Sequence, residues 1–197
     1  MSDNHEVTLT IGFDIDQISD KLTYKFKGRN GDTPNHPTGL YDNEILLVEG
    51  DQLSIEVIGT GAIGRGLGLD FSSYQIVDCC FVTLPRVIFA LDSKDVRRAP
   101  PSPFVQALGA SYPLYLDFSS STVDTKTLRT VTQGWKKTLD VTSIPGRWAV
   151  SLYLTVRIYR GPNFAPEIRV FSFDPECQVG AGRDDTGNGT PGGWRVS

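Results

Sequence analysis

Few side chains in this sequence are equipped for covalent or acid-base chemistry. Nucleophilic catalysis needs a base beside the nucleophile, usually histidine, and the chain offers His5 near its start and His36 between Pro34 and Pro37. Neither is placed for a triad. Carboxylates such as Asp78 and Asp117 would have to act without that support, which makes an enzyme the least favoured reading. Cys79 and Cys80 are neighbours in an apolar, strand-like run. They face opposite ways, cannot share a zinc ion, and read as small core residues. Asp14 with Asp16, and Asp184 with Asp185 and Asn188, group oxygen ligands that calcium could use. Neither group has the spacing of a known loop, and a calcium site wants six or more oxygens. The expectation is a solvated strand face with Asp16 capping a helical turn, and a tail kept soluble by its charges. The sequence thus predicts no catalytic residue, no metal and no cofactor.

The string IGTGAIGRGLG, with Gly59, Gly61 and Gly64 after a predicted strand and Asp78 nineteen residues beyond Gly59, has the outline of a dinucleotide fingerprint. That motif works only when a helix follows, its first amides holding the pyrophosphate. Here Gly66, Gly68 and the polar turn at Asp70, Ser72 and Ser73 follow instead, so a helix would be very weak. A flexible glycine loop is expected.

Binding chemistry is easier to place. Tyr153, Arg157 and Tyr159 share the outward face of one strand, where aromatic and guanidinium planes can stack on a sugar or a neighbouring protein. Trp135 and Trp194 are further binding candidates, whereas Trp148 reads as core. Arg97 with Arg98 reads as a solvated loop rather than an anion site.

The elements that must position these residues are almost all strands. Val7, Leu9, Ile11, Phe13 and Ile15 alternate with polar or small residues, the mark of a half-buried strand. A second runs from Lys21 to Lys27, and Gly28 to Asn43 holds too many Gly, Pro and Asn for a regular element. Glu44 to Val48 and Asp51 to Ile58 flank Glu49 and Gly50 and read as a hairpin. Tyr74 to Leu84 and Val87 to Leu91 form apolar runs with an interruption at Pro85. Ser102 and Pro103 can start a short helix over Phe104 to Leu108. Tyr112 to Phe118, Leu128 to Thr132, Trp135 to Val141 and Glu167 to Phe173 complete the strands. The strongest pattern is Trp148, Val150, Leu152, Leu154, Val156 and Ile158 on one face. Burying one such side chain stabilises by about 1.5–3 kcal/mol, so this face can anchor a fold. The prediction is an all-β protein, an antiparallel β-sandwich or jelly-roll with long loops and at most short helices. One domain spans 1–179; the Gly-rich tail 180–197 is expected to be mobile unless Trp194 docks.

A length of 197 residues suits one such core. With 19 basic and 23 acidic residues, a net charge of −4 and no basic block, nucleic acid is a poor partner. No stretch approaches the roughly 20 apolar residues of a membrane span, and the first residues lack the apolar centre of a signal peptide. A cytoplasmic location is expected, and Cys79, Cys80 and the remote Cys177 form no disulfide framework.

Three strings, VTLTIGFDID at 7–16, EILLVEGDQLSIEV at 44–57 and FSFDPECQV at 171–179, resemble in content and order the bacterial inclusion-body family that includes PixA and AidA. The matching features are an apolar first strand ending in acidic residues, a Gly50-Asp51 turn before a strand, and Phe173-Asp174-Pro175 before the last strand. The resemblance implies a β-sandwich of the bacterial cytoplasm that self-associates and has no assigned catalytic site. No functional residue carries over. With the missing catalytic constellation, it favours a non-catalytic structural protein that forms homo-oligomers. The alternative is a lectin-like module binding carbohydrate through Trp135, Trp194 and the Asp184 to Asn188 segment.

Overall fold

The computed structural model describes residues 6–28, 44–66, 68–88, 100–144, 146–173 and 176–180. Its strands are β1 (Glu6–Asp14), β2 (Thr23–Lys27), β3 (Glu44–Val48), β4 (Gln52–Ala62), β5 (Ser73–Ile88), β6 (Ser111–Pro113), β7 (Phe118–Asp124), β8 (Leu128–Trp135), β9 (Leu139–Asp140), β10 (Gly146–Tyr159), β11 (Glu167–Phe173) and β12 (Glu176–Gly180). No helix occurs among the described residues. His5, most of the Gly28 to Asn43 loop with His36, Arg97 and Arg98, Asp174 and Pro175, and the tail with Asp184, Asp185, Asn188 and Trp194 lie outside them.

Two sheets form a β-sandwich-like arrangement. The first runs β2-β1-β4-β8-β7, with β9 also on β4; the second runs β3-β12-β10-β5-β6, with β11 also on β10. Strict alternation explains the central strands. Val7, Leu9, Ile11 and Phe13 of β1 and Leu53, Ile55 and Val57 of β4 are buried from one side, and Trp148 to Ile158 at every second position of β10 from the other. Aromatic rings bridge the sheets: Phe13 stacks on Phe171 at 4.9 Å and meets Tyr74 edge-on at 5.1 Å, and Tyr24 stacks on Phe173 at 5.0 Å. The void left between Leu9, Phe26, Leu47, Phe81 and Val150 measures only about 10 Å³, room for one water and no ligand.

Several sequence expectations are corrected. The sheets are mixed rather than antiparallel, because β1 pairs β4 in parallel from Glu6 opposite Gln52 to Asp14 opposite Thr60, and β12 pairs β3 in parallel. Glu44 to Val48 and the following strand are no hairpin: β3 lies in the second sheet and β4 in the first. Glu49 and Gly50, with φ of 85° at the glycine, turn the chain across the sandwich. Alternation fixes which face of a strand is buried, not which strand lies beside it. Pro85 does not interrupt β5. It sits opposite Trp148, where the register slips between Arg147 and Trp148, and a proline is tolerated at such a bulge. The helix expected at Phe104 is absent. Phe104 bridges Val141, and Ser102 Oγ accepts the Phe104 amide at 3.2 Å in a local turn.

Gly59 and Gly61 belong to β4, not to a loop. A Cβ on Gly59 would lie 2.8 Å from the Tyr74 ring, and one on Gly61 2.7 Å from Ile15 and Phe71, so the core packs directly on their backbone. The glycine turn starts only at Gly64, where Gly64, Gly66 and Gly68 take φ values of 77°, 70° and 75°.

Candidate functional site

The outer face of the second sheet carries the surface that Tyr153, Arg157 and Tyr159 mark. Because the inner positions of β10 are all apolar, its alternate residues must face outward. Tyr153 stands between Cys80 of β5 and Ser172 of β11, Thr155 between Asp78 and Val170, and Arg157 between Gln75 and Ile168. Tyr159, opposite Ser73, donates its hydroxyl to Gln75 Oε1 at 3.1 Å. A second slip between Thr155 and Val156 leaves Val77 as the extra residue of a bulge, so Val77 and Asp78 are both exposed. The result is a run of solvent-facing apolar side chains over three adjacent strands: Leu84 at 57%, Tyr153 at 45%, Val170 at 57% and Ile168 at 60% exposure. Arg157 and Asp78 supply one charge of each sign, and neither forms an ion pair with a described residue.

Sequence reasoning reached the β10 members of this face and missed Ile168 and Val170. The signal was present: in EIRVFSF each alternating set carries two apolar residues, Ile168 with Val170 and Phe171 with Phe173. Only the second set, with 0% and 3% exposure, is buried.

Trp135 does not join this face. It is buried at the end of β8, and its indole N–H is donated to the Tyr115 carbonyl at 2.8 Å, so the ring offers no stacking platform.

Asp14 and Asp16 come together at one end of the sandwich, but cations already hold Asp16. Arg160 Nη2 lies 2.9 Å from one carboxylate oxygen and Arg65 Nη1 2.8 Å from the other. Burial pushes the Asp16 carboxyl up, yet the hydrogen bonds and charges of Arg160 and Arg65 outweigh it and hold the group below its ordinary value. Asp14 accepts from the Asp16 amide at 2.8 Å and from Thr60 Oγ1 at 3.3 Å. Its neighbour Gln17 donates to the Ser19 and Lys21 carbonyls and accepts the Asp14 amide. An open groove of about 400 Å³ beside this corner, lined by Thr10, Asp14, Gln17, Thr23, Lys25 and Thr60, therefore presents polar groups largely bound to one another. Arg160 and Arg169 both donate to the Ile15 carbonyl, and Asp20 to Leu22 bond the edge of β11 at Ser172. The corner is a clamp between the sheets.

Cys79 and Cys177 are buried and Cys80 is half-buried, and none of the three forms a disulfide. Burial first, then the nearby Asp78 and Cys80 charges, push the Cys79 thiol far up, away from nucleophilic chemistry. Among the described residues no three His, Cys, Asp or Glu side chains gather to hold a metal ion.

In comparisons with known proteins, the chain matches no protein-family model and no curated protein.

Proposed function

We propose that this is a non-catalytic, self-associating β-sandwich protein whose copies meet through the outer face of β5, β10 and β11. The observation that carries this reading is the exposed apolar run from Leu84 through Tyr153 to Val170 and Ile168. Contiguous apolar surface of this kind marks an interaction site, where scattered single residues would need no explanation. A second copy is the fitting occupant because the face is self-complementary. It sets exposed Leu84, Tyr153, Val170 and Ile168 beside Arg157 and Asp78, which lie one rung apart on neighbouring strands, so two copies laid face to face can exchange opposite charges. The local resemblance to the PixA and AidA inclusion-body proteins points the same way.

The size of the face sets the strength. From Ala149 to Arg157 it is roughly 25 Å long, and three strands make it about 10 Å wide. That gives a few hundred Å² per copy, against about 800 Å² per partner in a standard stable interface. Association is therefore weak and dependent on concentration. Light scattering on protein leaving a sizing column, over a hundredfold range of loading, should show a mass that climbs above the 21.6 kDa of one chain. A constant single-chain mass at every loading would remove the proposal. The carbohydrate reading has no comparable support, since Trp135 is committed to the core.

A further inference from the structure

The sheet edges at β2, β6 and β11 are protected in ways that the edge at β7 is not. β2 carries Lys25 and Lys27, β6 is three residues long with Pro113, and the edge of β11 is bridged at Ser172 by Lys21. Short length, lysine, proline and coverage are the usual means of blunting a sheet edge. β7 has none of these. Its sequence FSSSTVD contains no lysine or proline, Phe118 is half-buried, and the other six residues are exposed on both faces. Among the described residues nothing pairs its outer edge.

The direction of its backbone groups follows from the ends of the β7–β8 ladder. Lys136 donates its amide to Asp117 O at 3.0 Å and Thr125 donates to Leu128 O at 2.8 Å. Antiparallel ladders alternate bonded and non-bonded pairs, so Ser119, Ser121 and Val123 bond β8, and Phe118, Ser120, Thr122 and Asp124 point their N–H and C=O groups away from it. An antiparallel partner related by a two-fold axis at Ser121 sets Ser120 opposite Thr122 and Phe118 opposite Asp124, and every one of these is a pair of outward-pointing residues. Ser121 then faces Ser121 in a non-bonded pair. No like charges meet, and Asp124 is already neutralised by Arg129 at 2.6 Å. A register displaced by one residue would oppose outward groups to inward ones.

We propose that β7 is a strand-addition edge whose occupant is β7 of a second copy, joined antiparallel about Ser121 into one continuous sheet. This contact is separate from the face of β5, β10 and β11. Both are symmetric, and used together they link copies into open chains instead of stopping at a dimer.

The test uses full-length protein carrying Cys80→Ser, which leaves the buried Cys79 and Cys177, and Ile168→Lys with Val170→Lys, so that the other face cannot hold copies together. In this background Ser121→Cys should give a disulfide-linked dimer under mild oxidation on a non-reducing gel. Cα atoms of a non-bonded pair are about 4.5 Å apart, within disulfide reach. Ser119→Cys, equally exposed, should give at least fivefold less, because its two-fold mate lies about four residues away along the strand. Adding Thr122→Pro removes an outward amide and none that bonds β8, and it should abolish the Ser121→Cys product. Equal linking at Ser119 and Ser121, or none at Ser121, would overturn the proposal whether or not Thr122→Pro folds. Either result leaves the other face to be judged by its own test.

Discussion

Replacing Gly61 with alanine tests whether the glycine string is core strand or loop. The new methyl carbon would lie 2.7 Å from Ile15 Cδ1, Ile15 Cγ1 and Phe71 Cβ, against an ordinary carbon contact of about 3.5–4.0 Å. Both neighbours are buried, and Phe71 is held close to its own backbone, which donates to the Ala62 carbonyl at 3.0 Å. Overpacking of this kind costs about 1–3 kcal/mol. Losing glycine from the unfolded chain returns about 0.4–1 kcal/mol, so the net loss is roughly 1–2 kcal/mol, or about 3–6 °C in melting temperature at this size. The assay is urea unfolding followed by tryptophan fluorescence, reading the midpoint at constant slope. Two controls make the same chemical change. Gly109→Ala meets nothing within 4 Å and has no left-handed φ, so it should be neutral or slightly stabilising. Gly66→Ala also meets nothing but sits at φ of 70°, so it should lose about 1–2 kcal/mol from backbone strain alone. If Gly61→Ala behaved like Gly109→Ala, the packing of Ile15 and Phe71 on β4 would be refuted and a free loop restored.

Asp16→Asn should destabilise the protein by about 1 kcal/mol at pH 7, since the pairs with Arg65 and Arg160 are partly exposed. The Asp16 group has a lowered folded-state pKa, so its contribution is complete above the unfolded value of about 4 and fades as pH falls through the folded one. Wild type and variant should converge as pH falls below the folded-state value, and a gap unchanged from pH 7 down through the acid range would contradict the ion pairs. A thiol reagent should modify one cysteine quickly in the native protein and three after unfolding, with Cys80→Ser removing the fast reaction. Rapid modification of a second thiol would contradict the burial of Cys79 and Cys177.

Much of this fold is legible residue by residue. β1 and β10 stand out because apolar side chains recur at every second position, from Val7 to Ile15 in and just beyond the one and from Trp148 to Ile158 in the other. The separation of β3 from β4 is not legible, because a short turn and two alternating runs suit a hairpin and a sheet-crossing corner equally. β7 escaped notice for a related reason: FSSSTVD buries neither face, so its pattern has no period to detect. The Asp16 clamp depends on Arg160, 144 residues away, and only the folded chain brings the two together. At the candidate site, Tyr153, Arg157 and Tyr159 follow from alternation along one strand. Ile168, Val170 and Leu84 become part of the same surface only through the register of β11 and β5 on β10.

Sedimentation equilibrium of wild type beside Ile168→Lys with Val170→Lys, with β7 disarmed in both by Thr122→Pro, addresses the proposed association face most directly. Both substituted positions are more than half exposed, so the fold should tolerate the change within about 0.5 kcal/mol. The account predicts that the protein with the native face gains mass with concentration, while the double lysine variant stays at the mass of one chain with an unchanged melting temperature. Equal association of the two proteins, or none by either, would contradict it.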